Sequence, residues 1–329
     1  VAVGDSFVAG SHVSDDQAWA AILQKNLGQS LYNLAVSGSD LMVYLNNFVS
    51  LGRPLKPKTV LLMIYEGNDF RAVRPLPNVV SEKPASDTST ADNSMKVTTK
   101  PEAETAKKSL DIAYLAKASP VTKGLKRLSA EVFSAVGKEW PVPEYTEQMG
   151  WMPLAVATPA GVQYYSFPPK RLTYLDYSPE QFAESTDWRN ARAILDTFVA
   201  LSQKDHFRLV VVYAPSAPHV IMPLTQEHIP ADQLFQFVRY SNKKLKGDPE
   251  VYKQQLLNRL DTQENTVMAW CVEKQVDCVS PTIALRKAAS EGQQVYYVYN
   301  QHWTPEGNAV VANVLQDFFQ TTAAVQPVF

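Results

Sequence analysis

The chain has 329 residues, of which 45% are hydrophobic and 19% charged, so it is long enough for one large α/β domain or for two smaller ones. Its formal net charge is -2 and its pI is about 6.3, which excludes the basic footprint of a nucleic-acid-binding protein. No apolar run reaches the length of a membrane span. The sequence starts inside a predicted strand without a Met, so we expect any leader or membrane anchor to lie upstream.

The first 77 residues show strands alternating with helices. Residues 1–3 are predicted to form a strand that leads into Gly4-Asp5-Ser6, which places a hydroxyl where strand changes to helix. Apolar residues at helical spacing predict helices over 17–27 and 41–51. A second strand is predicted over 31–36, just before Gly38. A third, over 58–65, reads as buried on both faces and runs into Asn68.

The pattern changes over residues 78–186, which we interpret as an insertion in a main domain formed by 1–77 and 187–329. Residues 81–108 are polar and charged, so we expect a mobile, solvated segment, and 114–136 are predicted to be helical. Residues 140–177 are rich in proline and aromatic residues, which is typical of an irregular lobe, with a hairpin at Val162 to Phe167. The aromatic side chains either line a groove or pack the lobe itself, and packing is the commoner role.

Regular alternation returns after residue 187. Helices are predicted over 188–203, 233–240, 252–275 with a break near Asp261, 281–290 and 305–319, and strands over 207–213 and 276–279. Strands alternating with helices imply a doubly wound, mostly parallel sheet, whose sites lie at the carboxyl ends of the strands. Ser6, Gly38 and Asn68 all follow strands, so we expect them to meet at this edge.

The two cysteines, Cys271 and Cys278, flank a predicted connection between a helix and a strand. They are either two separate thiols or a disulfide, which would suit an oxidising compartment. No histidine lies near them in the sequence, so we expect no zinc site, and nothing in the chain indicates another metal or a cofactor.

A serine nucleophile needs a base, a group that orients the base, and hydrogen-bond donors for the oxyanion. Of the five histidines, His302 is the best candidate base, since it lies just before the last helix, in a loop that can return its ring to the edge of the sheet. The others are His12 in the loop before the first full helix, His219 after a strand where it could line the cleft, and His206 and His228, which we expect on the surface.

Four segments in order, Gly4-Asp5-Ser6, Gly38, Gly67-Asn68-Asp69 and the segment around His302, resemble the conserved blocks of the SGNH (GDSL-like) hydrolase superfamily. The resemblance covers residues 1–71 and 187–319. It implies a three-layer α/β/α fold with a flavodoxin-like central sheet. It also implies Ser6 as nucleophile, His302 as base and then acid, and an oxyanion hole made by the backbone N–H groups of Ser6 and Gly38 with the side-chain amide of Asn68.

The segment Asn300-Gln301-His302-Trp303 resembles the Asp-x-His-Trp of a subgroup that includes bacterial exopolysaccharide O-acetyltransferases and esterases, such as alginate-acetylation proteins. Here Asn300 stands where the family has Asp. An Asn oxygen can fix the tautomer of His302 but cannot neutralise an imidazolium. Three alternatives follow from this: a working neutral orienting group, a slow or inactive enzyme that serves as a binding domain, or a substitution at an original Asp.

The resemblance implies acyl transfer through an acyl-Ser6 intermediate, either as an O-acetyl esterase or as an O-acetyltransferase, with no cofactor. The implied partners are an acylated carbohydrate or acyl donor and membrane-bound acyltransferase machinery. The implied location is the periplasm or another extracytoplasmic compartment, with membrane anchoring through an upstream segment. The alternative is a weak or inactive SGNH-fold protein that binds or assembles polysaccharide. A lipase on the same fold has no support from a long exposed apolar stretch.

Overall fold

The computed structural model of the protein describes residues 1–76, 151–298 and 300–325. The predictions of a mobile segment at 81–108 and of helices at 114–136 lie outside the described residues, and the division into main domain and insertion stays a prediction. The short first strand and the C-terminal helix both lie within the described ranges.

In the described residues, four parallel strands form the central sheet, in the order β1 (Ala2–Val3), β2 (Thr59–Tyr65), β5 (Arg208–Ala214) and β6 (Asp277–Val279). Beside β1, on its other side, Asn33 forms an isolated parallel bridge with Ala2. If the segment around Asn33 is counted as the second strand along the chain, the order across the sheet is 2-1-3-4-5. This is the flavodoxin-like order, which confirms the predicted fold class. The strands of the structure are β1 (Ala2–Val3), β2 (Thr59–Tyr65), β3 (Met152–Thr158), β4 (Gly161–Phe167), β5 (Arg208–Ala214), β6 (Asp277–Val279), β7 (Tyr296–Tyr297) and β8 (Asn300–Trp303).

Helices connect the strands and cover both faces of the sheet. None of the helices in the described ranges has both the length and the apolarity needed to cross a bilayer. They are α1 (Ser6–Ala9), α2 (Trp19–Leu27), α3 (Leu41–Asn47), α4 (Pro169–Leu175), α5 (Pro179–Ala183), α6 (Thr186–Asp205), α7 (Ala217–Thr225), α8 (Ala231–Arg239), α9 (Pro249–Arg259), α10 (Thr262–Lys274), α11 (Thr282–Ser290) and α12 (Pro305–Val325).

The hydrophobic core has two layers, because alternate residues of β2 point to opposite faces of the sheet. Leu61 and Met63 pack with Trp19 of α2 and with α11 and α12. Leu62 and Ile64 pack on the other face, against α3, α6 and α10. Both faces are thus covered by helices, which explains why β2 is a continuous apolar run rather than an alternating one.

Several of the predicted elements differ from the structure. The segment predicted as a strand over 31–36 runs beside β1 and exchanges backbone hydrogen bonds with Ala2, yet only Asn33 forms a bridge. It lies at the edge of the sheet, where Tyr32 is 59% and Val36 48% exposed, and within the described residues no second strand pairs with it to hold it straight. The last helix continues to Val325, six residues beyond the predicted Phe319.

The predicted hairpin at 162–167 is longer than expected. Residues 161–167 form only its second strand, β4, which pairs antiparallel with β3. Leu154, Tyr165 and Phe167 are fully buried in the same core layer as Trp19 of α2. Within the described residues, this hairpin therefore packs on the main sheet domain, and its buried aromatic side chains serve packing.

The two cysteines form a disulfide, with their Cα atoms 6.2 Å apart. It joins the last turn of α10 to β6, seven residues further along the chain. The bridge closes a short loop at the edge of the sheet, where β6 pairs with β5 alone among the strands of the described ranges.

Reduction of this disulfide is expected to lower the free energy of unfolding by about 2 kcal/mol, because a short closed loop removes little entropy from the unfolded chain. Urea unfolding with and without a reductant measures the difference. The double variant Cys271→Ala/Cys278→Ala is the control, since reductant should leave its unfolding unchanged. Equal stability of the oxidised and reduced wild-type protein would contradict the expectation.

Candidate active site

The turn between β1 and α1 places Ser6 at the carboxyl edge of the sheet. Gly4 permits this turn, since a Cβ atom there would lie 2.4 Å from a methyl carbon of Val8. Asp5 caps α1, and its carboxylate accepts a 2.9 Å hydrogen bond from the N–H of Phe7. Ser6 is the first residue of the helix and is half-buried, so its hydroxyl reaches the surface beside a capped helix start.

The hairpin of β7 and β8 brings His302 to Ser6. The Nε2 atom of His302 lies 2.7 Å from the hydroxyl oxygen of Ser6. The imidazole stacks on Phe7 with ring centroids 4.9 Å apart, and the buried Trp303 packs edge-on against the same ring. The structure thus joins two residues that are 296 positions apart in the sequence.

Side chains of β4 hold the segment that leads into this hairpin. The amide of Gln163 donates to the backbone carbonyl of Gly292. The hydroxyl of Tyr165 donates to the backbone carbonyl of Gln293, and the hydroxyl of Ser166 donates to the backbone carbonyl of Val298. Gln294 donates in return to the carbonyl of Tyr164. The position of His302 therefore depends on the β3–β4 hairpin as well as on the main sheet.

Asn300 fixes the tautomer of His302. Its Oδ1 atom makes a short contact with ring Nδ1 and also lies 3.2 Å from the backbone nitrogen of His302. A backbone N–H can only donate, so the atom facing it must be the amide oxygen rather than the amide nitrogen. Ring Nδ1 consequently carries the proton, and Nε2 is free to accept from Ser6. The neutral side chain supplies the orientation that an Asp would give, without its charge.

The surroundings of His302 favour its neutral form. Burial, followed by the neighbouring His12 and Arg171, lowers the pKa of His302 to about 4. A neutral imidazole with its proton on Nδ1 can take a proton from a hydroxyl at Nε2. The arrangement can therefore activate Ser6 across the neutral pH range.

The predicted oxyanion donors lie around the same edge. The side-chain amide of Asn68 donates to Asp5 at 3.3 Å, and its Oδ1 atom is buried without a partner among the described residues. Gly38 is exposed in a left-handed turn with φ of +76°, next to Ser37, whose hydroxyl bonds that of Ser11 at 2.8 Å. The structure places Asn68 beside the residue that precedes Ser6, and Gly38 on a neighbouring loop.

Two carboxylates lie buried beneath the site. Burial raises the pKa of Asp5 to about 6, against the hydrogen bonds from Phe7 and Asn68. Burial and the nearby Asp5 together raise the pKa of Asp69 well above its usual range. Asp69 accepts from the hydroxyl of Tyr44 at 2.9 Å and from the N–H of Tyr65 at 2.8 Å. These bonds tie the turn that carries Asn68 to β2 and α3.

Two residues that no sequence motif singles out also lie at the site. The ring of His12 packs against His302 with centroids 4.7 Å apart, and the carbonyl of His12 accepts from Tyr297 at 2.7 Å. His12 has a left-handed backbone with φ of 74°, which is uncommon for a residue other than glycine. Arg171 reaches the site from α4, in the segment interpreted as an insertion.

The sequence left open that His219 could line the cleft. In the structure His219 is instead fully buried. Its Nδ1 atom lies 2.8 Å from Glu66, and its Nε2 atom lies 2.8 Å from Asp261. Glu66 also accepts from the hydroxyl of Tyr213 at 2.6 Å and from the N–H of Ser216 at 2.8 Å. This network joins the ends of β2 and β5 to α7 and α10. His206 and His228 are exposed, as expected.

Ser6 and His302 line a shallow surface cleft together with Ser11 and Trp303. A larger groove of about 830 Å³ lies at the opposite edge of the sheet, beside Val1 and Arg208. In the parts of the chain that the structure describes, no three His, Cys, Asp or Glu side chains are grouped to hold a metal ion.

No protein-family model matches the chain, and no curated protein matches it. Three solved structures resemble it weakly. They are a protein described as lipolytic of the G-D-S-L family from Desulfitobacterium hafniense DCB-2 (TM-score 0.39, 9% identity, 96% of each chain), a member of the same family from Veillonella parvula DSM 2008 (TM-score 0.40, 10% identity, 97% of this chain and 96% of the other), and TesA (TM-score 0.39, 10% identity, 97% of each chain). Likenesses at this level do not assign the family of the chain, and the strand order given above carries the assignment of its fold.

His219→Gln is expected to lower the free energy of unfolding by about 3 kcal/mol or more near pH 7, because it leaves Glu66 buried without a positive partner. Burial would lower the pKa of His219, but the charges of Glu66, Asp261 and Glu264 outweigh it and raise the pKa to about 10. The folded protein then holds a proton that the unfolded chain loses near pH 6.5. This contribution is present in full below pH 6.5 and is lost as the pH rises through 10.

Urea unfolding at several pH values between 6 and 10 measures this difference. Wild-type stability should fall more steeply over that range than the stability of His219→Gln. The exposed His206→Gln is the matched control and should follow the wild type. Parallel pH curves for the wild type and His219→Gln would show that His219 is neutral in the folded protein.

Proposed function

We propose that the protein is a serine-dependent acyl-ester hydrolase or acyltransferase that acts through an acyl-Ser6 intermediate. The observation that carries the proposal is the 2.7 Å contact between Ser6 and Nε2 of His302, with ring Nδ1 held by Asn300. A hydroxyl at a helix start, a neutral imidazole in the correct tautomer and an orienting acceptor are the parts that nucleophilic acyl transfer requires.

In the first half of the reaction, the hydroxyl oxygen of Ser6 attacks the ester carbonyl and its proton passes to Nε2 of His302. The tetrahedral intermediate collapses, the ester C–O bond breaks, and the leaving alcohol takes the proton from Nε2. In the second half, water or a sugar hydroxyl attacks the acyl-serine and gives its proton to Nε2. That proton returns to the oxygen of Ser6 as the free acid or the new ester departs.

The developing oxyanion needs donors directed at its position. We assign this role to the backbone N–H groups of Ser6 and Gly38 and to the amide of Asn68. In the structure this amide donates to Asp5. In the reaction it has a second N–H available, since an amide nitrogen carries two donors.

We further propose that the substrate is an O-acetylated carbohydrate or an acetyl donor with a sugar acceptor. Support comes from the similarity of Asn300-Gln301-His302-Trp303 to the Asp-x-His-Trp motif of exopolysaccharide-modifying proteins. The expected partners are the acylated glycan and a membrane-bound acyltransferase that supplies acyl groups. Release of acetate from an acetylated polysaccharide, compared with transfer of acetyl to an unmodified one, separates esterase from transferase.

An extracytoplasmic location fits this substrate. The disulfide between Cys271 and Cys278 supports it, because disulfides persist in oxidising compartments and are rare in the cytosol of most organisms. We therefore propose that the protein acts in the periplasm or another extracytoplasmic compartment. Fractionation of cells that express the full gene product tests the location.

A second candidate function follows from the neutral Asn300. With Asn300 on ring Nδ1, none of the described residues gives the imidazolium formed during acyl transfer a charged partner on that side. The protein would then be a weak or inactive SGNH-fold domain that binds or assembles polysaccharide. Glycan binding without turnover, in both the wild type and an Asn300→Asp variant, is the result that favours it.

Ser6→Ala and His302→Gln are each expected to lower the rate of p-nitrophenyl acetate hydrolysis at least about a thousandfold, because the two groups act as one unit. Mass spectrometry of the quenched wild-type reaction should find one acetyl group on Ser6. Ser290→Ala and His228→Gln, both on the surface, serve as controls and should keep wild-type rates. Equal rates for the wild type and Ser6→Ala would remove Ser6 from the mechanism.

Asn300→Asp is expected to raise kcat about 10- to 100-fold, because a carboxylate stabilises the imidazolium that forms in the transition state. The same charge raises the pKa of His302. In the wild type, kcat/KM should fall only as the pH drops through about 4, where His302 becomes protonated. In Asn300→Asp this acid limb should move to higher pH.

The pH profile of kcat/KM also separates His302 from Asp5. An acid limb near pH 6 that Asn300→Asp leaves in place would belong to Asp5, whose pKa is raised to about 6. An unchanged profile and an unchanged kcat in Asn300→Asp would show that His302 does not act as the base.

A further inference from the structure

A side chain from outside the motif segments reaches the turn that carries Asn68. Arg171, on α4, donates from Nη1 to the carbonyl oxygen of Gly67. Gly67 makes room for this contact, since a Cβ atom there would lie 2.5 Å from Nη1 of Arg171 and 2.4 Å from the ring of Tyr65. The close approach of this guanidinium therefore explains why a residue without a side chain stands at position 67.

The bond to Gly67 connects α4 to the reacting residues through a short chain of contacts. Gly67 is followed by Asn68, whose amide donates to Asp5, and Asp5 caps the helix that begins with Ser6. A shift of the Gly67 carbonyl would move the amide of Asn68 and its contact with Asp5. Displacements of about 1 Å at such positions can cost about a hundredfold in rate.

Arg171 also places a positive charge at the site. Within residues 1–76, 151–298 and 300–325, no carboxylate lies within 4 Å of its guanidinium, and its Nε atom is buried without a partner. The guanidinium lies 5.6 Å from the ring centroid of Tyr65. Among the described residues, its charge acts on Asp5, His302 and the phenol of Tyr65. His302 in turn faces His12, and Asp5 faces the buried Asp69.

We propose that Arg171 is a positioning residue for the reaction at Ser6, which fixes the Gly67–Asn68 turn by its hydrogen bond and holds a positive charge beside Asp5 and His302. The inference rests on the function proposed above for Ser6. It extends the site to the segment between the hairpin and α5, which no motif marks as functional.

The charge of Arg171 lowers the pKa of all three groups, Asp5, His302 and Tyr65. Its charge lowers the pKa of Asp5, against burial, and so favours the carboxylate that accepts from Asn68. It also adds to burial and to His12 in lowering the pKa of His302, which favours the neutral base. One cation therefore supports the ionised form of one group and the neutral form of the other.

The test compares Arg171→Gln, Arg171→Lys and the control Lys170→Gln. Lys170 is an exposed cation on the same helix, so its variant removes an equal charge away from the site. We expect Arg171→Gln to lower kcat about 10- to 100-fold with KM changed less than about threefold, because loss of the hydrogen bond to Gly67 displaces the Asn68 turn and this outweighs the easier protonation of His302. The acid limb of kcat/KM should move to higher pH. Arg171→Lys should keep the acid limb in place and recover part of kcat. Lys170→Gln should match the wild type in both.

An NMR titration of the His302 ring gives a readout that does not need activity. The signal is assigned with His302→Gln, and melting curves show that each variant is folded. The pKa of His302 should rise in Arg171→Gln and stay near the wild-type value in Arg171→Lys and Lys170→Gln. If the wild type proves inactive, the function proposed for Ser6 fails while this titration still reports on Arg171. An unchanged His302 titration and an unchanged kcat in folded Arg171→Gln would overturn the inference.

Discussion

Three buried carboxylates at the carboxyl edge of the sheet constrain the rest of the site. Asp5, Glu66 and Asp69 are each at most 2% exposed. A buried carboxylate is costly unless it is paired and hydrogen-bonded, so each one fixes the groups around it. Glu66 fixes the start of the turn that carries Asn68 to β5 and α7. Asp69 fixes the end of that turn to α3. Asp5 fixes the start of α1. The turn with Asn68 is therefore held at both ends, beside the helix that presents Ser6.

The replacement of an acid by Asn300 separates two roles that a carboxylate usually combines. Orientation is retained, because the amide oxygen faces both ring Nδ1 and the backbone N–H of His302. Charge compensation is lost, and burial near His12 and Arg171 adds to that loss. In a serine protease triad the Asp to Asn change costs about 10⁴ in rate, mainly through the wrong tautomer. Here the tautomer is correct, so the cost should be confined to the missing charge.

The sequence was sufficient where one local pattern determines the structure. The apolar runs of β2 and β5, the helix break at Asp261 and the order of the motifs were predicted from residues close together in the chain. For residues 31–36 the sequence predicted a full strand, but only Asn33 forms a bridge. The pairing of an edge segment with exposed Tyr32 and Val36 depends on its neighbour β1 rather than on its own residues. Because His219 follows a strand, its sequence position left open that it could line the cleft. Its burial depends on Glu66 and Asp261, which are distant in sequence, so no local pattern could reveal it.

Arg171 and the β3–β4 hairpin show a further limit of reading motifs along the chain. A segment without any motif supplies both the side chains that hold residues 292–298 and the guanidinium that contacts Gly67. Both groups of contacts converge on the Ser6–His302 pair, one from the side of the base and one from the side of Asn68. Because the hairpin also shares the hydrophobic core with α2, changes in its packing can reach the base and the Asn68 turn together. The position of His302 relative to the Asn68 turn is therefore determined by the packing of the β3–β4 hairpin and α4, which contain neither residue.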